Sequence, residues 1–363
     1  MGPSKKHNVS KKTQATKAPA HVPPHQPAPS DLPIELQQAV LNAFSQAALP
    51  LAQTDDLKAV IQEVKGHLFL RDFASAFAKQ EFLDAYTLRW SASRALGYAS
   101  IFLCSSWGRE WFAHAAPAGV GAAGPGADGG AEAGPPPASA CKVVCIGGGA
   151  GAELAALAAA CQALPRASLD VVAVDIADWS RSVERLTTAL TSPPPLSTYA
   201  SASAKAANRP LVHPDQMCVH FAQRDVLALT EDDLHDMLVG VRLCTIMFTL
   251  NELFTTSISR TTAFLLALTD AMPPGSCLLV VDSPGSYSEI KLGEGQPRQY
   301  PMKWLLDHTL LEVAGKDSDE TTRWQKLVSD ESRWFRVHPG LKYPVELENM
   351  RYQIHVYQRS EQN

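Results

Sequence analysis

The chain has 363 residues, 45% of them apolar, and a formal charge of −5, a balance that suits a globular protein with a substantial core. Its longest apolar runs are strand-sized, far short of the ~18 residues a membrane span needs. The seven cysteines (104, 141, 145, 161, 218, 244, 277) are an odd set without CxxC pairs or histidine partners. They predict a reducing compartment and no secretion, buried thiols in or beside the strands, no metal site and no cysteine nucleophile.

Charge is unevenly distributed. Residues 1–30 hold Lys5, Lys6, Lys11, Lys12 and Lys17 and no acid, leaving about −10 on the rest. Rich in Pro, Ser and Ala as well, residues 1–31 read as a disordered basic arm, either simply solvated or serving nuclear targeting or nucleic-acid tethering.

From Leu32 to residue 114 apolar residues recur at three-to-four spacing, as in PIELQQAVLNAFSQA and DDLKAVIQEVKGHLF, and predict a helical leader. Near its end Tyr86, Trp90 and Arg94 stand four apart and would share one helix face. Such a face either roofs a cofactor and stacks a base or is ordinary core packing. Residues 115–140 and 192–210 are nearly all small residues, serines and prolines and read as unstructured insertions.

Between and beyond those insertions, short apolar runs alternate with helical patterns. KVVCI (142–146), LDVVAVD (169–175), MCVHFAQ (217–223), LCTIMFT (243–249) and SCLLVVD (276–282) predict strands, several without polar alternation and therefore buried on both faces. The alternation predicts βαβ units and a doubly wound, mostly parallel α/β sheet over residues 141–358. ENMRYQIHVYQR (348–359) alternates Tyr352, Ile354 and Val356 against Arg351, Gln353 and His355, which predicts a last strand with one wet face.

The turn after the first strand, IGGGAGAE (146–153), places Gly147, Gly148, Gly149 and Gly151 where a ligand sits in an open α/β sheet. Read with Ala152 the loop satisfies G-x-G-x-x-G/A, and Asp175 follows at the spacing of a ribose-binding acid, so the loop alone does not separate NAD from S-adenosylmethionine. A P-loop is excluded because Gly-Lys-Ser/Thr is missing. Glu153 after the glycines, an acid ending the second strand and Arg224-Asp225 beyond the third together look like the class I S-adenosylmethionine-dependent methyltransferase series.

TLNELF puts Asn251 and Glu252 at the fourth strand's carboxyl edge, as catalytic candidates or as a helix cap. Trp179 either stacks on adenine or packs. The segment 282–304, with Tyr287, Arg298, Tyr300 and Trp304, reads as substrate cover. Lys342, Arg333, Arg336, Arg351 and His355 around Trp334 form a second basic and aromatic cluster.

RWSASRALGYA (89–99), VVCIGGGAGAELAALAA (143–159), TLNELF and LENMRYQIHVYQR together resemble the fungal large-subunit ribosomal RNA uridine-N3-methyltransferases over roughly residues 35–358. The resemblance implies a seven-stranded Rossmann-like methyltransferase sheet behind an α-helical leader, S-adenosyl-L-methionine as cofactor, and ribosomal RNA or a pre-ribosome as partner. On this reading Gly147, Gly148, Gly149, Gly151, Asp175, Ile176, Asp225, Val226 and Arg94 bind cofactor. Asn251 and Glu252 are catalytic, and Trp90 and Tyr287 hold the flipped base. The expected setting is the nucleus, nucleolus or cytoplasm, with the protein a monomer. Two other readings use the same loop: an NAD(P)-dependent oxidoreductase with Tyr287 as relay, and a non-catalytic scaffold for ribosome assembly.

Overall fold

The computed structural model describes residues 2, 31–48, 56–115, 140–164, 167–285, 287–290, 298–314 and 323–361. The lysine-rich arm and nearly all of the insertion at 115–140 lie outside the described residues. The leader forms α1 (Ile34–Ala47), α2 (Leu57–Phe69), the single turn α3 (Phe73–Ala76), α4 (Gln80–Tyr86), a π turn (Thr87–Ser91), α5 (Ala92–Cys104) and α6 (Ser106–Ala115).

Alternating elements follow: β1 (Cys141–Ile146), α7 (Ala152–Ala163), β2 (Leu169–Asp175), α8 (Ser180–Thr191), α9 (Ala202–Ala207), β3 (Met217–Gln223), α10 (Glu231–Leu238) and β4 (Val241–Met247). After them come α11 (Leu250–Thr256), α12 (Ile258–Ala271), β5 (Cys277–Asp282), the ribbon β6 (Tyr287–Ile290) and β7 (Arg298–Pro301), α13 (Met302–Asp307), β8 (Trp324–Phe335) and β9 (Met350–Arg359).

The seven-stranded sheet has the order β3-β2-β1-β4-β5-β9-β8. Its first five strands run parallel, and β9 is antiparallel to both neighbours. The order reverses between β1 and β4, and it is at such a switch point that the carboxyl ends of the strands leave a crevice.

Helix α7 shows why the leader is there. Every residue from Ala152 to Cys161 is buried, and a helix apolar all round must be covered on all sides. The sheet covers one side, and α1 and α5 cover the other; the short alanine side chains let these layers approach closely. One hydrophobic cluster therefore joins leader residues such as Phe44, Leu96 and Phe102 to Val143, Val171 and Leu279 of the sheet. Polar contacts fix the seat: Arg185 of α8 bonds Asp84 of α4 at 2.9 Å, and Gln80 reaches both Asp84 and Ser182. Among the described residues no helix is long and apolar enough to cross a membrane.

Three sequence expectations change. The segment 192–210 carries a short helix, α9, capped by Ser201 accepting from the Ala204 amide, so it is not structureless throughout. The polar stretch at 282–304 contains the β6–β7 ribbon. The last strand has no continuous wet face: Gln353 and His355 are buried, and β9 lies inside the sheet between β5 and β8, a strand the sequence pattern did not announce. Pattern reading missed β8 because an edge strand with exposed residues along most of its length lacks a clear apolar period.

Candidate functional site

A cavity of about 570 Å³ opens at the carboxyl ends of β1, β2 and β4, a volume within the range of small-molecule sites. The leader roofs it with Phe73, Phe77, Tyr86, Ser91, Arg94 and Tyr98. The sheet supplies Gly147, Glu153, Asp175, Ile176, Asp225, Val226, Phe248, Thr249 and Glu252 among others.

The glycine loop works differently from the expectation of a bare cradle. Gly147 lines the cavity in the left-handed region at φ 75°, and a Cβ there would meet Thr249 Oγ1 at 2.1 Å. Gly148, Gly149 and Gly151 do not line it: Cβ atoms there would strike Cys145, Trp179 and Leu186. Their smallness serves the close approach of loop to protein, while the Gly149 amide donates to Asp175 Oδ2 at 3.2 Å. As direct ligand contacts, these three glycines are not supported by the geometry.

Asp175 ends β2 inside the cavity and also accepts from the Ala177 amide at 3.3 Å. Burial pushes its pKa up to about 6. Ile176, next to it, is an apolar side chain 64% exposed on the cavity wall. Asp225, beyond the end of the adjacent strand β3, lines the cavity with Val226; its Oδ1 accepts from the Leu227 amide at 2.9 Å, and its Oδ2 lies 3.5 Å from Arg260.

Glu153 is the residue whose importance the sequence reading understated. It sits in the first turn of α7, only 3% exposed, lining the cavity with a buried Oε1 that has no hydrogen-bond partner. Burial raises its pKa to about 8. Glu252, in the first turn of α11, is pushed up to about 7, again mainly by burial and partly opposed by Arg94. Asp282, at the end of β5, was passed over although it ends a strand as Asp175 does. It is buried, raised to about 6, and accepts the amides of Asn251 and Ser283, which fixes the entry to α11. Asn251 is thereby anchored through its backbone, and its side chain is not part of the cavity wall.

The π turn decides which leader residues reach the site. Its i→i+5 spacing breaks the i, i+4 register, so Tyr86 and Arg94 face the cavity while Trp90 does not. Trp90 packs beside Tyr86 and the Val60 and Phe82 cluster. Arg94 Nη1 donates to Tyr86 Oη at 2.6 Å, and its guanidinium stands 4.5 Å over the Phe248 ring. Phe248 holds φ at 57°, a strained value for a bulky residue and of a kind that clusters at working sites. Trp179 is buried in the wall against Phe77 and Tyr86, packed rather than free to stack. Tyr287 pairs with Pro301 in the β6–β7 ribbon.

Counted over the wall, five carboxylates (Glu153, Asp175, Asp178, Asp225, Glu252) face two arginines (94 and 224). Such a space fits a cationic ligand with sugar hydroxyls, an apolar ring and one anionic group for Arg94. S-adenosylmethionine has those parts: a sulfonium, an ammonium, a carboxylate, a ribose and an adenine.

Comparison with known proteins agrees. Residues 44–358 match the family model described as "Putative SAM-dependent methyltransferase". The 25S rRNA (uridine(2843)-N(3))-methyltransferase of Saccharomyces cerevisiae is 32% identical over 327 residues, 82% of this chain and 76% of that one. Among solved structures, a Burkholderia thailandensis 1,6-didemethyltoxoflavin-N1-methyltransferase with bound S-adenosylhomocysteine aligns at TM-score 0.39 and 12% identity, covering 82% of this chain and 89% of that one. A Methanosarcina mazei SAM-dependent methyltransferase aligns at 0.37 and 11%, covering 61% and 94%. Both structures are too remote to bear on this chain's chemistry. The family match spans most of the helical leader and the whole sheet, and the chain belongs to this family of S-adenosylmethionine-dependent methyltransferases.

Proposed function

We propose that the protein methylates N3 of a uridine in large-subunit ribosomal RNA, using S-adenosylmethionine held in the cavity at the carboxyl ends of β1, β2 and β4. The observation that carries the reading is the excess of buried carboxylates there, Glu153 with its unpartnered oxygen above all, which suits a ligand of net positive charge. The named substrate of the yeast relative supports the acceptor.

In this reading Asp175 accepts from the ribose hydroxyls, and Ile176, Asp225 and Val226 enclose the adenine. Glu153 accepts from the methionyl ammonium and Arg94 pairs with the methionyl carboxylate. When bound, the cofactor supplies a methyl group on a positively charged sulfur. Uridine N3 is an imide nitrogen that carries a proton at neutral pH, so its lone pair is available only once that proton leaves. Glu252, with a pKa near 7, would take the proton, leaving N3 with a free pair to accept the methyl group; the C–S bond pair would return to sulfur and the cofactor would leave as the neutral thioether. Holding nitrogen, carbon and sulfur in line supplies much of the remaining acceleration.

Base contacts fall to other residues than Trp90. Phe69 and Leu70, at the turn after α2, are 86% and 74% exposed. The next residue, Arg71, has φ 55° and donates at 2.9 Å to Thr255 on α11, the helix that carries Glu252. This apolar turn beside the cavity is a platform for a nucleobase flanking the flipped uridine. A second contact is Trp334, 44% exposed, with Arg336 3.9 Å and Arg351 5.7 Å from its ring. His355 does not add to that basic face, since it is buried and its pKa is lowered by burial to about 4.

The test is to incubate the full chain with unmethylated large-subunit ribosomal RNA and S-adenosylmethionine, then digest to nucleosides for mass spectrometry. N3-methyluridine is expected. A different methylated nucleoside, or none from an enzyme that binds its cofactor, would overturn the acceptor assignment.

A further inference from the structure

Three side chains converge at the outer edge of the sheet, away from the cavity. Cys218 and His220 are two apart on β3 and so share one face of the strand. The β2–β3 register sets Asp170 beside Cys218. Asp170 precedes Asp175 by five residues, which at strand rise places the group roughly 17 Å from the cavity end of β2.

Cys218 Sγ lies 3.3 Å from His220 Nε2, and the same nitrogen lies 3.5 Å from Asp170 Oδ1. All three atoms fall within 4.8 Å of one another. An imidazole nitrogen offers one proton or one lone pair and cannot point at both neighbours. Asp170 Oδ1 is itself buried and has no hydrogen-bond partner. A tetrahedral ion with sulfur at about 2.3 Å and nitrogen and oxygen at about 2.0–2.1 Å would set sulfur–nitrogen and nitrogen–oxygen edges of roughly 3.5 and 3.3 Å. The sulfur–nitrogen and nitrogen–oxygen separations match these edges to within about 0.2 Å, and the sulfur–oxygen separation is within 4.8 Å.

We propose that Cys218, His220 and Asp170 form a binding site for a divalent transition-metal ion, with Zn²⁺ the best match to the set. One thiolate, one imidazole and one carboxylate select a borderline ion such as zinc over magnesium or calcium. Three protein ligands on an exposed surface leave a fourth position to water or to a donor from another molecule. The ion would clip β3, one of the sheet's two edge strands, to β2, tying down an edge that is otherwise held from one side only. The sequence concealed the site because Asp170 is contributed from 48 residues upstream of Cys218, by strand register alone.

The test uses the full untagged chain, freed of metal by chelation, titrated with Zn²⁺ against a chromophoric chelator and separately with Co²⁺. Cys218→Ser and His220→Ala each weaken Zn²⁺ binding by more than about tenfold. A Co²⁺–thiolate charge-transfer absorption is present in the parent protein and absent in Cys218→Ser, and Zn²⁺ raises the melting temperature of the parent but of neither variant. S-adenosylmethionine binding is the same in all three proteins, which shows that the variants fold. Equal Zn²⁺ affinity in parent and variants would reduce the signal to a background from His7, His21 and His25 and overturn the site; so would a cobalt–thiolate band that survives in Cys218→Ser.

Discussion

Two groups of buried polar residues in this molecule look alike in a sequence and differ in what surrounds them. On β9, Gln353, His355 and Arg359 are all buried, and each has partners: Gln353 donates to the Ser283 carbonyl at 2.8 Å, His355 contacts Ser329 Oγ and Gln353 Oε1, and Arg359 donates to the carbonyls of Met272 and Arg323. At the carboxyl ends of β1, β2 and β4 burial raises the pKa of Glu153, Asp175 and Glu252, and while Asp175 accepts the Gly149 and Ala177 amides, the buried Glu153 Oε1 has no hydrogen-bond partner. The first arrangement stabilises the fold; the second stores a demand that a ligand meets. Burial alone does not separate structure from function; what singles out Glu153 is an unpartnered buried oxygen on a residue that lines the cavity.

Substitutions that discriminate the two groups put this contrast at risk. The largest effect is expected at Glu252: Glu252→Gln keeps the shape but cannot take a proton, and kcat for RNA methylation falls by about 10²–10⁴ while S-adenosylmethionine affinity changes little. A rate within threefold of the parent in a single-turnover assay would remove Glu252 as the base.

Next comes the pH dependence of stability. The folded pKa of Glu153 stands at about 8 against 4.5 for the free side chain. Its contribution to stability is fully present below about pH 4.5 and is lost as pH rises through about 8, a difference of roughly 4–5 kcal/mol at the upper end. Asp175, Glu252 and Asp282 shift in the same direction. Glu153→Gln should therefore raise the melting temperature at pH 8.5 far more than at pH 5, even as it weakens cofactor binding. A variant less stable than the parent at pH 8.5 would show that Glu153 is well accommodated as an anion.

A smaller loss is predicted for Asp175→Ala, which removes the acceptor for the ribose hydroxyls: S-adenosylmethionine binding weakens by about 10- to 100-fold, or ~1.4–2.8 kcal/mol, in calorimetry. His355→Phe is the control from the satisfied group. It should cost about 1–3 kcal/mol of stability by removing the His355 partner of Gln353 Oε1 and Ser329 Oγ, with cofactor affinity unchanged. The smallest effect belongs to Phe69→Ala, which should raise KM for RNA several-fold and leave cofactor binding intact.

Much of the fold was legible because doubly buried parallel strands leave continuous apolar runs, as in CLLVVD, and because α7 is apolar on every side. Strand β8 was not, since its polar face hides the period. That Asp175 ends the second strand and Glu252 follows the fourth was legible in the sequence. Trp90 was misplaced because residue spacing assumes an α-helix where the chain makes a π turn, and the glycines were overread because a sequence cannot show that Trp179 and Leu186 fill the space beside them. Cys218 was expected to be buried and is exposed, which is where the edge of the sheet overrides composition.

Proton uptake or release on cofactor binding tests the central claim most directly. Calorimetric titration of the full chain with S-adenosylmethionine near pH 7, in two buffers of different ionisation enthalpy, should show about one proton released as the cation forces the cavity carboxylates to ionise. Binding with no proton released, or no binding at all, would contradict the account of this cavity as an acid-lined site that the cofactor completes.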